Sequence, residues 1–209
     1  MKVDEVGNGQ VEPSIMRISS KYAVDDWKRL TFNKDDDWRK AVDIFRDRME
    51  TRFLNFVRRI EKYQYAGFVV LAIDCLLIET LQQFFYGRGE TPSGRNAKFF
   101  VNFLTRTSFS KYFDEDKATR FYHCIRCGIL HQSEVKGKSK VLIRKTVPMV
   151  QLPIEGEGLI VNRRLFHMEL LNVYEAYIAD ILKGGSENQT LRANFRKKMD
   201  HTCQIEPIF

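Results

Sequence analysis

A chain of 209 residues lies within the usual size of one domain and can bury a real core, which excludes a peptide hormone, a knottin and a large multidomain enzyme. Apolar residues make up 44% and charged residues 29%, with 16 Phe and 8 Tyr, too apolar and aromatic a mixture for a disordered chain. Lys and Arg number 34 against 27 Asp and Glu, and the resulting +7 suits a polyanionic partner.

Met1 to Pro13 is polar, with Asp4, Glu5 and Glu12, and has no apolar h-region of a secretory signal, so the expected location is cytoplasmic. Four cysteines, Cys75, Cys124, Cys127 and Cys203, are too few for a disulfide scaffold. The most apolar stretch, Phe68 to Ile78, is 11 residues long and contains Asp74. A membrane span needs about 20 apolar residues. A buried helix is therefore expected there, and no membrane contact.

Residues 1–32 lack sustained periodicity and read as an irregular arm with a short element around Tyr22 to Leu30. A helical bundle is expected over 33–185. Trp38, Val42, Phe45, Met49, Phe53, Phe56 and Ile60 recur three and four apart and predict a long amphipathic helix. Asp35, Asp36 and Asp37 open it, at the end of the helix dipole that favours carboxylates. A second helix, about Ala66 to Tyr86, is apolar on nearly every side, so Asp74 and Glu79 within it need partners. After the break at Arg88 to Arg95, a third helix carries Phe99, Phe100, Phe103 and Leu104. Asp114 to Asp116 opens a fourth, with Ala118, Phe121, Tyr122, Ile125, Ile129 and Leu130 as its apolar stripe, ending near His131 to Glu134.

Short strands punctuated by Pro148, Pro153, Gly156 and Gly158 predict a small β insertion over 139–161. Asn162 then caps a long helix closed by Gly184 and Gly185, and residues 186–209 form a basic tail holding one more short helix. The fold class is accordingly all-α, a bundle of four to five main helices with a small β insertion.

Phosphate-loop, dinucleotide, zinc-protease and serine-hydrolase fingerprints are missing from the sequence. One segment concentrates reactive side chains: His123 to Gln132 holds two histidines, two cysteines and Arg126 at the end of the fourth helix. A histidine titrates near neutrality and can carry protons, and an arginine can grip phosphoryl oxygens with two parallel hydrogen bonds.

Arg126 and His131, with the phrase Ile125 to Gln132 around them, resemble the signature of the HEPN domains, all-helical bundles marked by an Arg and, four to six residues on, a His near a helix end. An earlier apolar helix with a Glu, here Glu79, belongs to the same resemblance. It covers roughly residues 40–183. Cys127 stands where the family most often has Asn or Asp, and the β insertion lies outside the minimal bundle.

The resemblance implies metal-independent RNA cleavage by 2′-hydroxyl attack on the adjacent phosphate, without a cofactor, in a site where two subunits meet. It implies His131 for acid–base work, Arg126 for phosphate binding and a bacterial toxin or defence role, with an antitoxin or neighbouring defence protein as partner. Asp74 or Glu79 is the candidate to orient one of the pair. Lys136, Lys138 and Lys140, just beyond His131, are expected to hold RNA phosphates.

Two other readings stand beside this one. On a regular helix Arg126 and His131 lie about 140° apart, since each residue advances about 100°. The length of the arginine, a loosened turn at Gly128, or a dimer axis would each reconcile them. Cys124, Cys127 and His131 can also share one helix face as three zinc ligands, with Cys203 or His201 as the fourth. The alternative of another class is a non-catalytic bundle that docks nucleic acid or a partner protein.

Overall fold

The computed structural model describes residues 16–144 and 146–204, so the first 15 positions of the N-terminal arm, position 145 and the last five positions lie outside it. The protein is mostly helical, a bundle with a small three-stranded sheet, as the periodicity predicts.

The first helix, α1 (Val24–Lys28), buries Trp27. α2 (Asp35–Met49) runs through a π-helical turn at Glu50–Leu54 into α3 (Asn55–Ile60). α4 (Gly67–Tyr86) lies centrally, and Gly87 ends it in the left-handed region at φ 58°. α5 (Asn96–Arg106) follows, then α6 (Glu115–Arg120), a second π-helical segment at Phe121–Arg126, and α7 (Cys127–Gln132). α8 (Arg163–Lys183) and α9 (Gln189–Thr202) complete the bundle. The tail helix α9 is thus a full element of 14 residues, and it packs on α4 and α8.

Strands β1 (Lys140–Leu142), β2 (Val150–Gln151) and β3 (Ile160–Asn162) form a sheet of order β1-β3-β2. β1 runs parallel to β3 in the register Val141 to Val161, and β2 antiparallel with Val150 opposite Val161. Asn162 ends β3 and caps α8, its side chain accepting from the Leu165 N–H at 3.4 Å while its amide donates to the carbonyls of Arg144 and Val147.

Aromatic rings fill the core where helices cross. Phe45 of α2, Phe84 of α4, Tyr177 of α8 and Phe195 of α9 meet one another, Phe45 edge-on to the other three and those three tilted among themselves, with Phe45 and Phe84 centroids 4.7 Å apart. Phe121 stacks on Phe166 at 4.7 Å, and this pair ties the π-helical segment to α8. Each such ring contributes about 1.5–3 kcal/mol by burial, and favourable ring geometry adds about 0.5–1.5 kcal/mol. α4 is long and apolar enough to cross a membrane, with a mean hydropathy of 1.7, but half of it is buried by the bundle.

The acidic start of α2 does more than face the helix dipole. The Asp37 carboxylate accepts from the Phe32 and Thr31 N–H groups at 2.8 and 3.2 Å and from the Thr31 hydroxyl at 2.7 Å. The Thr31 hydroxyl is the main reason its pKa lies below the ordinary carboxylate value. This clamp holds Phe32 at φ 63°, a left-handed conformation costly for a bulky residue.

Candidate functional site

The site is built on the fourth predicted helix. Asp114 caps α6 by accepting from the Lys117 N–H at 2.8 Å. The helix then widens through Phe121–Arg126, where i to i+5 hydrogen bonding replaces the α pattern, and narrows again into α7. Ser133 stops α7 in the left-handed region at φ 57°. The chain folds back along the helix: Glu134 N–H donates to the Gly128 carbonyl at 3.3 Å and Lys136 N–H to the Cys124 carbonyl at 2.9 Å. Only glycine fits at 128, because a Cβ there would sit 2.4 Å from the Glu134 carbonyl oxygen.

Arg126, the last residue of the widened segment, turns toward α4. Its Nε donates to Glu79 Oε1 at 2.7 Å, and its Nη2 reaches the same oxygen at 2.5 Å. Little of either side chain is exposed, 11% for Arg126 and 22% for Glu79. Burial works against the guanidinium charge, and the Glu79 carboxylate outweighs it, so the Arg126 pKa lies above its ordinary value. The guanidinium carbon also lies 5.5 Å from the centre of the Tyr122 ring.

The third arm of Arg126, Nη1, comes within 3.2 Å of His131 Nε2. A guanidinium only donates, so in a hydrogen bond between the two Nε2 is the acceptor. His131 is exposed. The arginine's length closes the 140° gap, and the two side chains meet within one subunit.

Several sequence expectations are placed differently. Asp74 is not beside Arg126 or His131. It is fully buried and bound to His167 Nδ1 of α8 at 2.7 Å, a residue for which the sequence offers no constellation. Asp74 and Glu79 are five positions apart on α4, so they point to different sides of it. Burial raises the Asp74 pKa. For His167, burial opposes the charge, but the hydrogen bond and charge of Asp74 prevail and raise its pKa.

Among the described residues no group of three or more His, Cys, Asp and Glu is placed to hold a metal ion. Cys124 Sγ faces the Glu157 carbonyl at 3.7 Å, and Cys203 is buried at the end of α9. The π-helical segment contains Cys124 and ends just before Cys127, which takes Cys124 out of the α register that Cys127 and His131 share in α7. Lys136, Lys138 and Lys140 are exposed just beyond α7, with Lys138 paired to Glu155 at 3.2 Å.

The sequence reading missed an open cavity of about 1180 Å³, which shares no residue with this cluster. It lies where α1, the 30–33 loop and the start of α2 face α9, with Trp27, Phe32, Trp38, Arg192 and Arg196 among its walls. The sequence signal was slight: the chain has only two tryptophans, and both line this cavity.

Comparisons with protein-family models, with curated proteins and with solved structures each found no match.

Proposed function

We propose that the protein is a HEPN-like endoribonuclease that cleaves RNA without a metal, the 2′-hydroxyl attacking the adjacent phosphate. The observation that supports this most is the 3.2 Å approach of Arg126 Nη1 to His131 Nε2, with the other edge of the arginine held by Glu79. His131 Nε2 is placed to take the 2′-hydroxyl proton once a phosphate draws the arginine toward its oxygens; the 2′-oxygen then bonds to phosphorus as the P–O5′ bond breaks, and the leaving 5′-oxygen takes a proton from water. Arg126 then stabilises the charge that develops on those oxygens. Glu79 positions the guanidinium, and the exposed Lys136 and Lys140 add a salt-dependent attraction for the strand. A homodimer that brings two such pairs together, in a toxin or defence setting, completes the proposal.

The binding-module reading draws on the same Glu79 carboxylate, which already neutralises Arg126. Incubation with RNA in excess EDTA decides between the two. Fragments with 2′,3′-cyclic phosphate ends, lost in His131→Ala, are expected of the nuclease. Intact RNA retained by the protein would instead mean a binding module.

A further inference from the structure

The cavity between the N-terminal segment and α9 has an aromatic floor and a basic rim. Trp27, Phe32 and Trp38 form a continuous aromatic group, with Phe32 5.3 Å from Trp27 and 4.8 Å from Trp38. Lys28, Arg192, Arg196 and Lys197 surround it, while Asp200 is held by the Trp27 indole N–H at 2.7 Å. The two arginines differ in what they have left to offer. Arg192 stacks 4.5 Å from the Trp38 ring centre and donates from Nε to the Ile181 carbonyl at 2.8 Å, and only 16% of its side chain is exposed. Arg196 lies 4.6 Å over Phe32, has only a distant ion-pair partner in Asp200 at 3.8 Å, and keeps 51% of its side chain exposed.

A guanidinium stacked on an aromatic ring keeps its second face free for another flat group, and its edge carries N–H donors for an anion. Lys28 and Lys197, both exposed, add positive charge on the rim. The strained Phe32, held by Asp37, fixes the ring on which Arg196 rests. A cavity of about 1180 Å³ exceeds the space a single nucleotide needs and leaves room for a strand to enter and leave.

We propose that this cavity is a nucleotide-binding site, separate from the Arg126–His131 cluster, in which a nucleobase stacks on Arg196 and its phosphate is held by Lys28, Lys197 and the edge of Arg196. The base and phosphate belong either to a free mononucleotide or to one unit of a single-stranded RNA. Stacking combined with basic side chains is how proteins bind single strands with little sequence preference. The site stands apart from the nuclease reading, since none of its residues takes part in the proposed cleavage.

Both tryptophans line the cavity, so tryptophan emission is sensitive to what occupies this site. The purified chain is titrated with AMP, UMP, adenosine, inorganic phosphate, an eight-nucleotide oligouridylate and a polyglutamate peptide, the RNA arm using His131→Ala so that no strand is cut. Saturable changes with AMP and UMP, roughly tenfold weaker in Arg196→Glu and in the double variant Lys28→Glu with Lys197→Glu, are expected. Circular dichroism and the emission of the ligand-free variants verify that the fold persists. Oligouridylate binding tighter than UMP marks the strand as the source, and equal or weaker binding marks the free nucleotide.

Three results would overturn the site. One is no saturable change with any nucleotide or RNA, and another is polyglutamate binding as well as AMP. The third is wild-type affinity for AMP in both charge-reversal variants. Mononucleotide affinity read in His131→Ala separates this outcome from cleavage: it should match wild type, and its loss would place the ligand at the other cluster.

Discussion

Arg126 Nη1 lies 3.2 Å from His131 Nε2, five residues along the chain, while the Nε of the same arginine is anchored on Glu79. One side chain therefore links the core helix α4 to an exposed imidazole. Its removal should affect chemistry far more than folding. His131→Ala and Arg126→Ala should each lower RNA cleavage by about 10²–10⁴-fold, with helical content unchanged. Arg126→Lys should not restore activity, because an ammonium cannot hold Glu79 and a phosphate with one planar fork. Single-turnover cleavage beside circular dichroism checks both, and wild-type rates in either alanine variant would move the site elsewhere.

Glu79→Gln should be milder in stability than Glu79→Ala and similar in activity. The alanine leaves a mostly buried guanidinium without its carboxylate, a loss of about 1–3 kcal/mol, below the roughly 3–5 kcal/mol of a fully buried pair. Chemical denaturation measures the stability difference.

Gly128→Ala should destabilise by about 1–3 kcal/mol, because the new Cβ meets the Glu134 carbonyl oxygen and must push back the segment that returns along α7. The shift reaches Glu134 and the Lys136 N–H bonded to Cys124, so weaker salt dependence of RNA binding should accompany the lower melting temperature. A neutral effect on both would mean that the segment after α7 moves aside freely.

The buried Asp74–His167 pair sets a pH dependence of stability. The folded His167 pKa lies above its ordinary value of 6.5, so the pair's contribution is fully present below about pH 6.5 and is lost as pH rises through the raised value. Asp74, raised above 3.8 by burial, acts in the same direction, since its ionisation is disfavoured in the fold. Glu61 and Arg58 also bear on His167, the first raising and the second lowering its pKa. The melting temperature should therefore fall as pH rises above about 6.5, and His167→Gln and Asp74→Asn should flatten that slope. Loss of the hydrogen bond itself costs roughly 1.5–3 kcal/mol. A slope unchanged in His167→Gln would assign it to other groups.

Helix placement was legible from residue order alone, because an apolar stripe at three- and four-residue spacing can be buried only by a helix lying on a core. The β insertion was equally plain, since Pro and Gly interrupt every helical pattern between 139 and 161. The Arg126 and His131 pair could be named from its spacing, but their contact could not be derived. Spacing on a regular helix puts them on different sides, and only the reach of the arginine across its anchor on α4 brings the heads together.

Partners across the chain belonged wholly to the tertiary structure. Asp74 meets His167 over 93 positions and Glu79 meets Arg126 over 47, and which carboxylate takes which partner depends on how α4 is rotated against α7 and α8. The widened turn at Phe121–Arg126 likewise has no residue signature, and it takes Cys124 out of the α register that Cys127 and His131 share. The sequence by itself determined a basic, aromatic helical bundle with one reactive helix end, because composition and periodicity are local properties. Packing decided the identity of the buried pairs and the cavity that joins Trp27 to α9, because each depends on side chains brought together from distant parts of the chain.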